Sequence, residues 1–173
     1  MPSNRVTVFE SSLGWTALSW TGQTVCGLAF GYPNPQHALR HLRVDAVESD
    51  VPSQFAARII SRLQALATGH CGDSFQDVRI DLGESTPFQV KVIRNCRRIP
   101  IGQTISYGEL ARKAGHDGAA RAVGRVMSTN RFPLIVPCHR VVSANSLGGF
   151  SSPQGLGMKE RLLGAEAAFL GAK

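Results

Sequence analysis

The stretch Ser106-Tyr107-Gly108-Glu109-Leu110-Ala111, then Gly115-His116-Asp117-Gly118, then Ala119-Ala120-Arg121-Ala122-Val123-Gly124-Arg125-Val126-Met127 decides the fold of the second half of this chain. It predicts two short helices about a glycine-bearing turn, a helix–turn–helix. Downstream, the apolar run Leu134-Ile135-Val136 leads into Pro137-Cys138-His139-Arg140. A cysteine with an imidazole as its neighbour, at the end of a buried-looking segment, is the strongest nucleophile candidate in the sequence.

Working outward, Thr86-Pro87-Phe88-Gln89 has the form of a capping box, with proline at the first helical position and glutamine reaching back. It predicts a helix to about Ile99, stopped by Pro100 and Gly102, with mostly helical chain from there to Asn130. The final stretch, Met158–Leu170, reads as an amphipathic helix. The first half differs. Arg5–Phe9, Trp15–Trp20 and Thr24–Phe30 are β-prone runs separated by turn residues. Pro35 to Val44 predicts a short helix. Ser53 caps another, with Phe55, Ile59, Leu63 and Leu66 along one face and Gly69 at its end. Phe75–Leu82 reads as a short strand or an extended link. The character of the chain changes near residue 84. The expected fold is α+β: an N-terminal domain of antiparallel sheet plus helices over residues 1–84, and a mostly helical, winged-helix-like domain with the helix–turn–helix over residues 85–173.

The chain has 173 residues, 43% hydrophobic and 18% charged, a globular composition. No apolar run approaches the roughly 20 residues that span a bilayer. Met1-Pro2-Ser3-Asn4-Arg5 lacks the apolar region of a signal peptide, so a cytoplasmic, nucleoid-associated location is expected. Residues 1–84 carry six Lys/Arg against eight Asp/Glu, a balance of −2, whereas residues 85–173 carry thirteen against four, a balance of +9. The whole of the +7 net charge therefore lies in the half that holds the helix–turn–helix, the footprint of a nucleic-acid-binding surface. The alternative for that charge is a solvated basic face. Cys26, Cys71, Cys96 and Cys138 form no C-x-x-C pair and no zinc-ligand spacing, which predicts reduced thiols. His37 and His41, four apart on a helix, read as surface histidines.

A recognition helix usually reads base edges with long polar side chains in the major groove. This one offers mainly Ala and Gly, which allow close backbone approach but little base readout. Minor-groove docking with weak sequence preference fits it better, with Arg121 as the inserted side chain. The alternative is a small-residue helix packed against a neighbour. For Cys138, an unperturbed thiol is only a few per cent thiolate at neutral pH. A partner must take its proton, and His139 is adjacent. A carboxylate would hold the imidazole, and Glu160 and Glu166 are the candidates in this half. The alternative is a buried structural cysteine.

Thr86-Pro87-Phe88-Gln89, Ile99-Pro100-Ile101-Gly102-Gln103, Ser106-Tyr107-Gly108, Ala119 to Gly124, Pro137-Cys138-His139-Arg140-Val141 and Lys159-Glu160 together resemble the catalytic domain of the O6-alkylguanine-DNA alkyltransferases, the methylated-DNA–protein-cysteine methyltransferases. The resemblance covers Thr86–Glu166, and the first half matches only in outline. It implies that Cys138 accepts the alkyl group of O6-alkylguanine in double-stranded DNA, with O4-alkylthymine an open second substrate. It implies that His139 deprotonates the thiol through a bridging water, that Glu166 orients the imidazole, and that Asn130 ties the recognition helix to the active-site turn. Tyr107 would crowd the phosphate of the target nucleotide and bond the base. Arg121 would fill the gap left when that base rotates out, with Ala120, Gly124 and Arg125 beside it on the DNA. The carbonyls of Cys138 and Val141 would hold the guanine amine. Ser151 or Ser152 would supply the N–H that neutralises O6. Each molecule would act once, without cofactor or metal, since Cys26 has no matching ligand set. A monomer is expected, with cooperative binding along DNA left open.

Three departures from the family pattern stand out. Arg131, followed by Phe132, replaces the common Pro after Asn130. Phe150 stands where an aromatic hydroxyl is common. The loop Gly148–Gly157 is longer, with Pro153-Gln154 inserted. The principal alternative is a lesion-binding protein of the same fold that transfers nothing, although Cys138 argues against it. A helix–turn–helix regulator would need base readout that this helix lacks. A cysteine hydrolase would leave the basic half unexplained.

Overall fold

The structure, a computed structural model, describes residues 3–42 and 45–172. Met1, Pro2 and Val44, which enter the expectations above, lie outside the described residues. β1 (Arg5–Ser11), β2 (Gly14–Thr21) and β3 (Thr24–Tyr32) form the expected antiparallel meander. α1 (Pro35–His41) follows, its first turn capped by the Asn34 side chain. β4 (Val47–Glu48) then joins β1 in parallel. α2 (Gln54–Ala67) starts at Ser53, whose side chain accepts from the Ala56 N–H, and buries Ile59, Leu63 and Leu66. Of the segment Phe75–Leu82, only β5 (Arg79–Ile80) pairs, in parallel with β3. The sheet order is therefore β4-β1-β2-β3-β5, antiparallel at its centre and parallel at both edges.

The sheet is buried on both faces. On one, Val6, Ala17 and Ala29 pack against Ala38 and Leu42. On the other, Leu18, Trp20, Val25, Leu28 and Phe30 enter a larger core. Burial on both faces explains why β2 and β3 read as apolar runs rather than clean alternations.

In the second half, α3 (Pro87–Arg97) carries the full capping box: the Thr86 side chain accepts from the Gln89 N–H, and the Gln89 side chain accepts from the Thr86 N–H. The helix closes on Arg98, one residue short of Ile99. Thr86→Ala removes one of these reciprocal bonds, and a loss of about 1 kcal/mol in urea unfolding is expected. The segment read as helical up to Asn130 is interrupted before it begins. β6 (Ile105–Ser106) pairs in parallel with β7 (Val141–Val142), matching Ile105 to Val141 and Ser106 to Val142. The β-branched Ile105 and Val141 favour this pairing. α4 (Tyr107–Lys113) has its own capping box, from Ser106 and Glu109. After the turn at Gly115–Gly118, α5 (Ala120–Ser128) buries Val123, Val126 and Met127.

α6 (Gly155–Gly171) closes the fold, but the inner face of the expected amphipathic helix holds Lys159 and Glu166 beside Met158 and Leu162. One apolar cluster takes in Leu18, Leu28 and Ile59 together with Val92, Leu110, Val136 and Leu162, so the core continues across residue 84. Arg97 adds to the joint, donating to the carbonyls of Phe75 and Val78. So does the Leu28 N–H, which donates to the Arg131 carbonyl at 2.9 Å. No helix of the described residues is long and apolar enough to cross a membrane.

Candidate active site

Cys138 opens a single 3-10 turn, Cys138–Arg140, between the apolar run and β7. Pro137 follows a tight turn at Leu134 and Ile135, and Leu134 in that turn sits at a φ of 72°. A left-handed conformation costs a leucine on the order of 1 kcal/mol, and burial of the surrounding residues holds it there. The turn aims three consecutive side chains inward: Cys138, His139 and Arg140 are all buried.

Of the two carboxylate candidates, Glu160 is exposed and Glu166 is buried. Glu166 Oε1 lies 2.7 Å from His139 Nε2. Arg140 donates to the same carboxylate from Nε and from its terminal nitrogen, at 2.8 to 3.1 Å. The Gly102 N–H donates to Oε2 at 2.9 Å. Burial pushes the Glu166 carboxyl up, but the bonds from His139, Arg140 and Gly102 outweigh it and hold the pKa at about 2. Burial lowers the His139 pKa, against the pull of Glu166. Its Nδ1 is buried and makes no hydrogen bond to the described residues. The imidazole is thus neutral, anchored through Nε2, with Nδ1 available to take a proton.

Burial raises the Cys138 pKa, opposed by hydrogen bonds from the Asn130 side chain and from nearby backbone N–H groups, and by the charge of Lys159. The resting pair is therefore a protonated thiol beside a neutral base. Asn130 ties the end of α5 to the turn, donating to the Val136 carbonyl at 3.0 Å and accepting from the Phe132 N–H at 2.9 Å. Phe132 after Arg131 is accommodated as a buried core residue. Arg131 itself lies over the Phe132 ring and donates to the Asp81 carbonyl at 2.8 Å.

A cleft between α5 and the segment after β7 leads to the thiol, lined by Tyr107, Gly124, Met127, Ser128, Cys138 and Ser151. Tyr107, at the first position of α4, is half-buried, and burial raises its pKa. Gly148 is at a φ of +71°, and a Cβ there would come within 2.9 Å of both the Tyr107 ring and Ser143 Oγ. Only glycine lets this loop cross the tyrosine. Gly124 faces the same ring at van der Waals distance. Arg121 and Arg125 are exposed and Ala120 is half-buried on the outer side of α5. Ser151 borders this cleft, whereas Ser152 does not, its hydroxyl accepting from the Gln154 N–H. The two carbonyls expected to hold a ligand amine each already accept once. The Cys138 carbonyl takes the Val141 N–H, and the Val141 carbonyl takes Lys159 Nζ at 2.6 Å.

Two residues given no role in the sequence reading complete the site. Arg140 is the second partner of Glu166 and also donates to the Ile99 carbonyl at 2.8 Å. Lys159 is fully buried, at 0% exposure, and bridges the Val141 and Gly149 carbonyls. Burial lowers its pKa. The available signal was a lysine seven residues before Glu166, on the same face of an otherwise apolar helix side. Among the described residues no three His, Cys, Asp or Glu side chains gather closely enough to hold a metal ion, and His41 stacks on Tyr32 with centroids 4.7 Å apart.

A family model described as the 6-O-methylguanine DNA methyltransferase DNA-binding domain matches residues 87–168. Over the whole chain, the solved structure of Mycobacterium tuberculosis OGT in complex with DNA is 31% identical, with a TM-score of 0.78, covering 95% of this chain and 94% of that one. The chain belongs to the O6-methylguanine-DNA methyltransferase family. The family member from Pyrococcus kodakaraensis shares the fold at 26% identity, with a TM-score of 0.68 over 94% of this chain. Among curated members, the methylated-DNA–protein-cysteine methyltransferase of Shigella flexneri is 44% identical over 86 residues, 49% of this chain and 49% of that protein. The one from Methanosarcina acetivorans is 45% identical over 86 residues. The chain spans about half the length of the curated family members it matches.

Proposed function

We propose that this protein repairs alkylated double-stranded DNA directly, moving the alkyl group of O6-alkylguanine to Cys138 in a single turnover. The observation that supports this best is the buried thiol at the end of a cleft, beside an imidazole held 2.7 Å from a carboxylate. In this reading α4 and α5 act as a helix–turn–helix, and residues 1–84 support the transferring half. The target base rotates out of the duplex into the cleft, because its O6 substituent is inaccessible inside the stack. Tyr107 guides it, and Arg121 takes its place in the helix. Ala120 and Gly124 let the backbone approach the minor groove, and Arg125 meets a phosphate.

His139 Nδ1 takes the thiol proton through a bridging water, and the imidazolium is stabilised by Glu166. Sγ then attacks the alkyl carbon. The S–C bond forms as the C–O6 bond breaks, the electron pair goes to O6, and the guanine takes up the proton. The Ser151 N–H is better placed than that of Ser152 to neutralise O6, since Ser151 borders the cleft. Lys159 supports the site twice, by orienting the Val141 carbonyl and by favouring the thiolate. The product is a thioether, so each molecule acts once. The protein works as a monomer on DNA in the cytoplasm.

Intact-protein and peptide mass spectrometry after incubation with excess O6-methylguanine duplex tests this. One methyl mass on the Cys138 peptide, saturating at one per molecule with guanine restored, is the expected result. Tight binding with no mass gained replaces it with a lesion-binding function. Arg125→Ala, which removes the phosphate contact, should weaken duplex binding and lower the slope of log affinity against log salt by about one, read by titration at several salt concentrations.

A further inference from the structure

Arg79 of β5 and Arg94 and Arg97 of α3 line one open groove of about 350 Å³, where the edge of the first sheet meets the second half of the chain. Thr24, Ile80, Leu82 and Ile93 complete its walls. We propose that this groove binds backbone phosphates of the duplex, beyond those met by α5. The proposal rests on the DNA-repair reading above and adds to it a second contact surface, outside the helix–turn–helix.

Three guanidinium groups gathered without a counter-charge favour an anion between them. No Asp or Glu lines the groove. The ion pairs among the described residues all use Arg62, His139 or Arg140, so Arg79, Arg94 and Arg97 have none. Asp77 is within electrostatic reach of Arg97 but is held by Arg62 at 2.7 Å. Asp81 accepts from the Gly83 N–H at 2.9 Å. A terminal nitrogen of Arg97 donates to the Phe75 and Val78 carbonyls, but its Nε is buried and has no hydrogen-bond partner among the described residues. A guanidinium donor is costly to bury unmet, and a phosphate oxygen is an acceptor suited to it. Service to the helix dipole would account for Arg94 and Arg97, which lie in the last turn of α3. It leaves Arg79 and the orphaned Nε unexplained.

The groove continues towards α5, and this continuity points to the occupant. Leu82 and Ile93 also line a second depression, formed with Ser85, Gln89, Thr129 and Arg131 and again without a carboxylate. Thr129 is the C-cap of α5 and donates to the Arg125 carbonyl. Donors therefore run from the exposed arginines of α5, past Arg131, to the edge strand of the sheet. One small anion needs a single pocket. A track of separated guanidinium groups matches a polyanion, and double-stranded DNA carries one negative charge per ~1.7 Å of its axis. Each phosphate neutralised releases counterions, so every contact in the groove steepens the dependence of affinity on salt.

The test measures affinity for a duplex carrying one O6-methylguanine over a range of salt concentrations. It compares the natural protein, the double variant Arg79→Gln/Arg94→Gln and a control of equal charge, Arg40→Gln/Arg58→Gln. All four arginines are exposed. The groove variant should bind several-fold more weakly, and the steepness of log affinity against log salt should fall by about two, at ~0.9 for each phosphate. The control should keep the natural slope. Arg79→Gln and Arg94→Gln alone should each lower it by about one, and either carries the test where the double variant fails to fold. A slope unchanged in the groove variants, or lowered equally in the control, overturns the proposal and leaves the transferase reading standing. Calorimetric titration with inorganic phosphate separates a free anion from the duplex. Heat from the natural protein and none from the groove variant, with equal duplex slopes, gives the groove to free phosphate and overturns the duplex assignment. A natural protein that binds no duplex overturns the repair reading itself, and this proposal with it.

Discussion

Glu166→Ala is expected to cost about 3–5 kcal/mol of folding stability, the range for removing one partner of a buried ion pair. The carboxylate holds His139, Arg140 and the Gly102 N–H at once. Its loss leaves a buried guanidinium without a counter-charge. Against a total stability of about 5–15 kcal/mol for a protein domain, that is a large fraction, visible in urea or thermal unfolding. Transfer should slow by about a hundredfold or more in the same variant, because the imidazole loses the group that orients it. The pH dependence has a defined sign. The folded pKa of about 2 lies below the ordinary 4.5, so the carboxylate's contribution is complete above pH 4.5. It is lost as pH falls from there towards about 2. Glu166→Gln, which cannot ionise, should show a flatter decline over that window. Parallel curves for the two proteins would place the acid sensitivity elsewhere.

Cys138→Ser is expected to bind lesion duplex as the natural protein does and to gain no methyl mass at all. The exchange of sulfur for oxygen changes little in volume, and the hydroxyl can still accept from Asn130. An alcohol, however, is far harder to ionise than a thiol, and its oxygen is a much poorer nucleophile than thiolate sulfur towards a saturated alkyl carbon. Gel shift and intact mass on the same sample read both halves of this prediction. Methyl mass appearing on Cys26, Cys71 or Cys96 in this variant would assign the chemistry to another thiol. Burial alone argues against Cys96, which is fully enclosed with its pKa pushed well up.

Local order was largely legible in the chain because short-range chemistry carries it. Ser53 and Thr86 start their helices through side-chain caps, and both helices stand where those caps predict. The three apolar runs of the first half form the meander because β-branched and aromatic residues between turns have few alternatives. Phe75–Leu82 and Ile105–Ser106 were harder. Each contributes a two-residue strand whose partner lies far along the chain, β3 in one case and β7 in the other. No local period announces such a pairing.

At the site, the sequence determined the candidate residue types: a cysteine with a neighbouring histidine, an asparagine upstream and a choice of two carboxylates downstream. The residue pattern left Glu160 and Glu166 open and the family resemblance implied Glu166; the tertiary structure supplies the physical reason, because that face of α6 is buried against the Cys138 turn. It alone brought in Arg140 and Lys159, whose charges read as surface until the fold encloses them with partners. It also turned the inserted Pro153-Gln154 from an unassigned departure into a link between the active-site loop and the first sheet. The physical reason is common to all three. Ionisation and hydrogen bonding inside a protein are set by desolvation and by groups distant in sequence, and both exist only once the chain has closed around them.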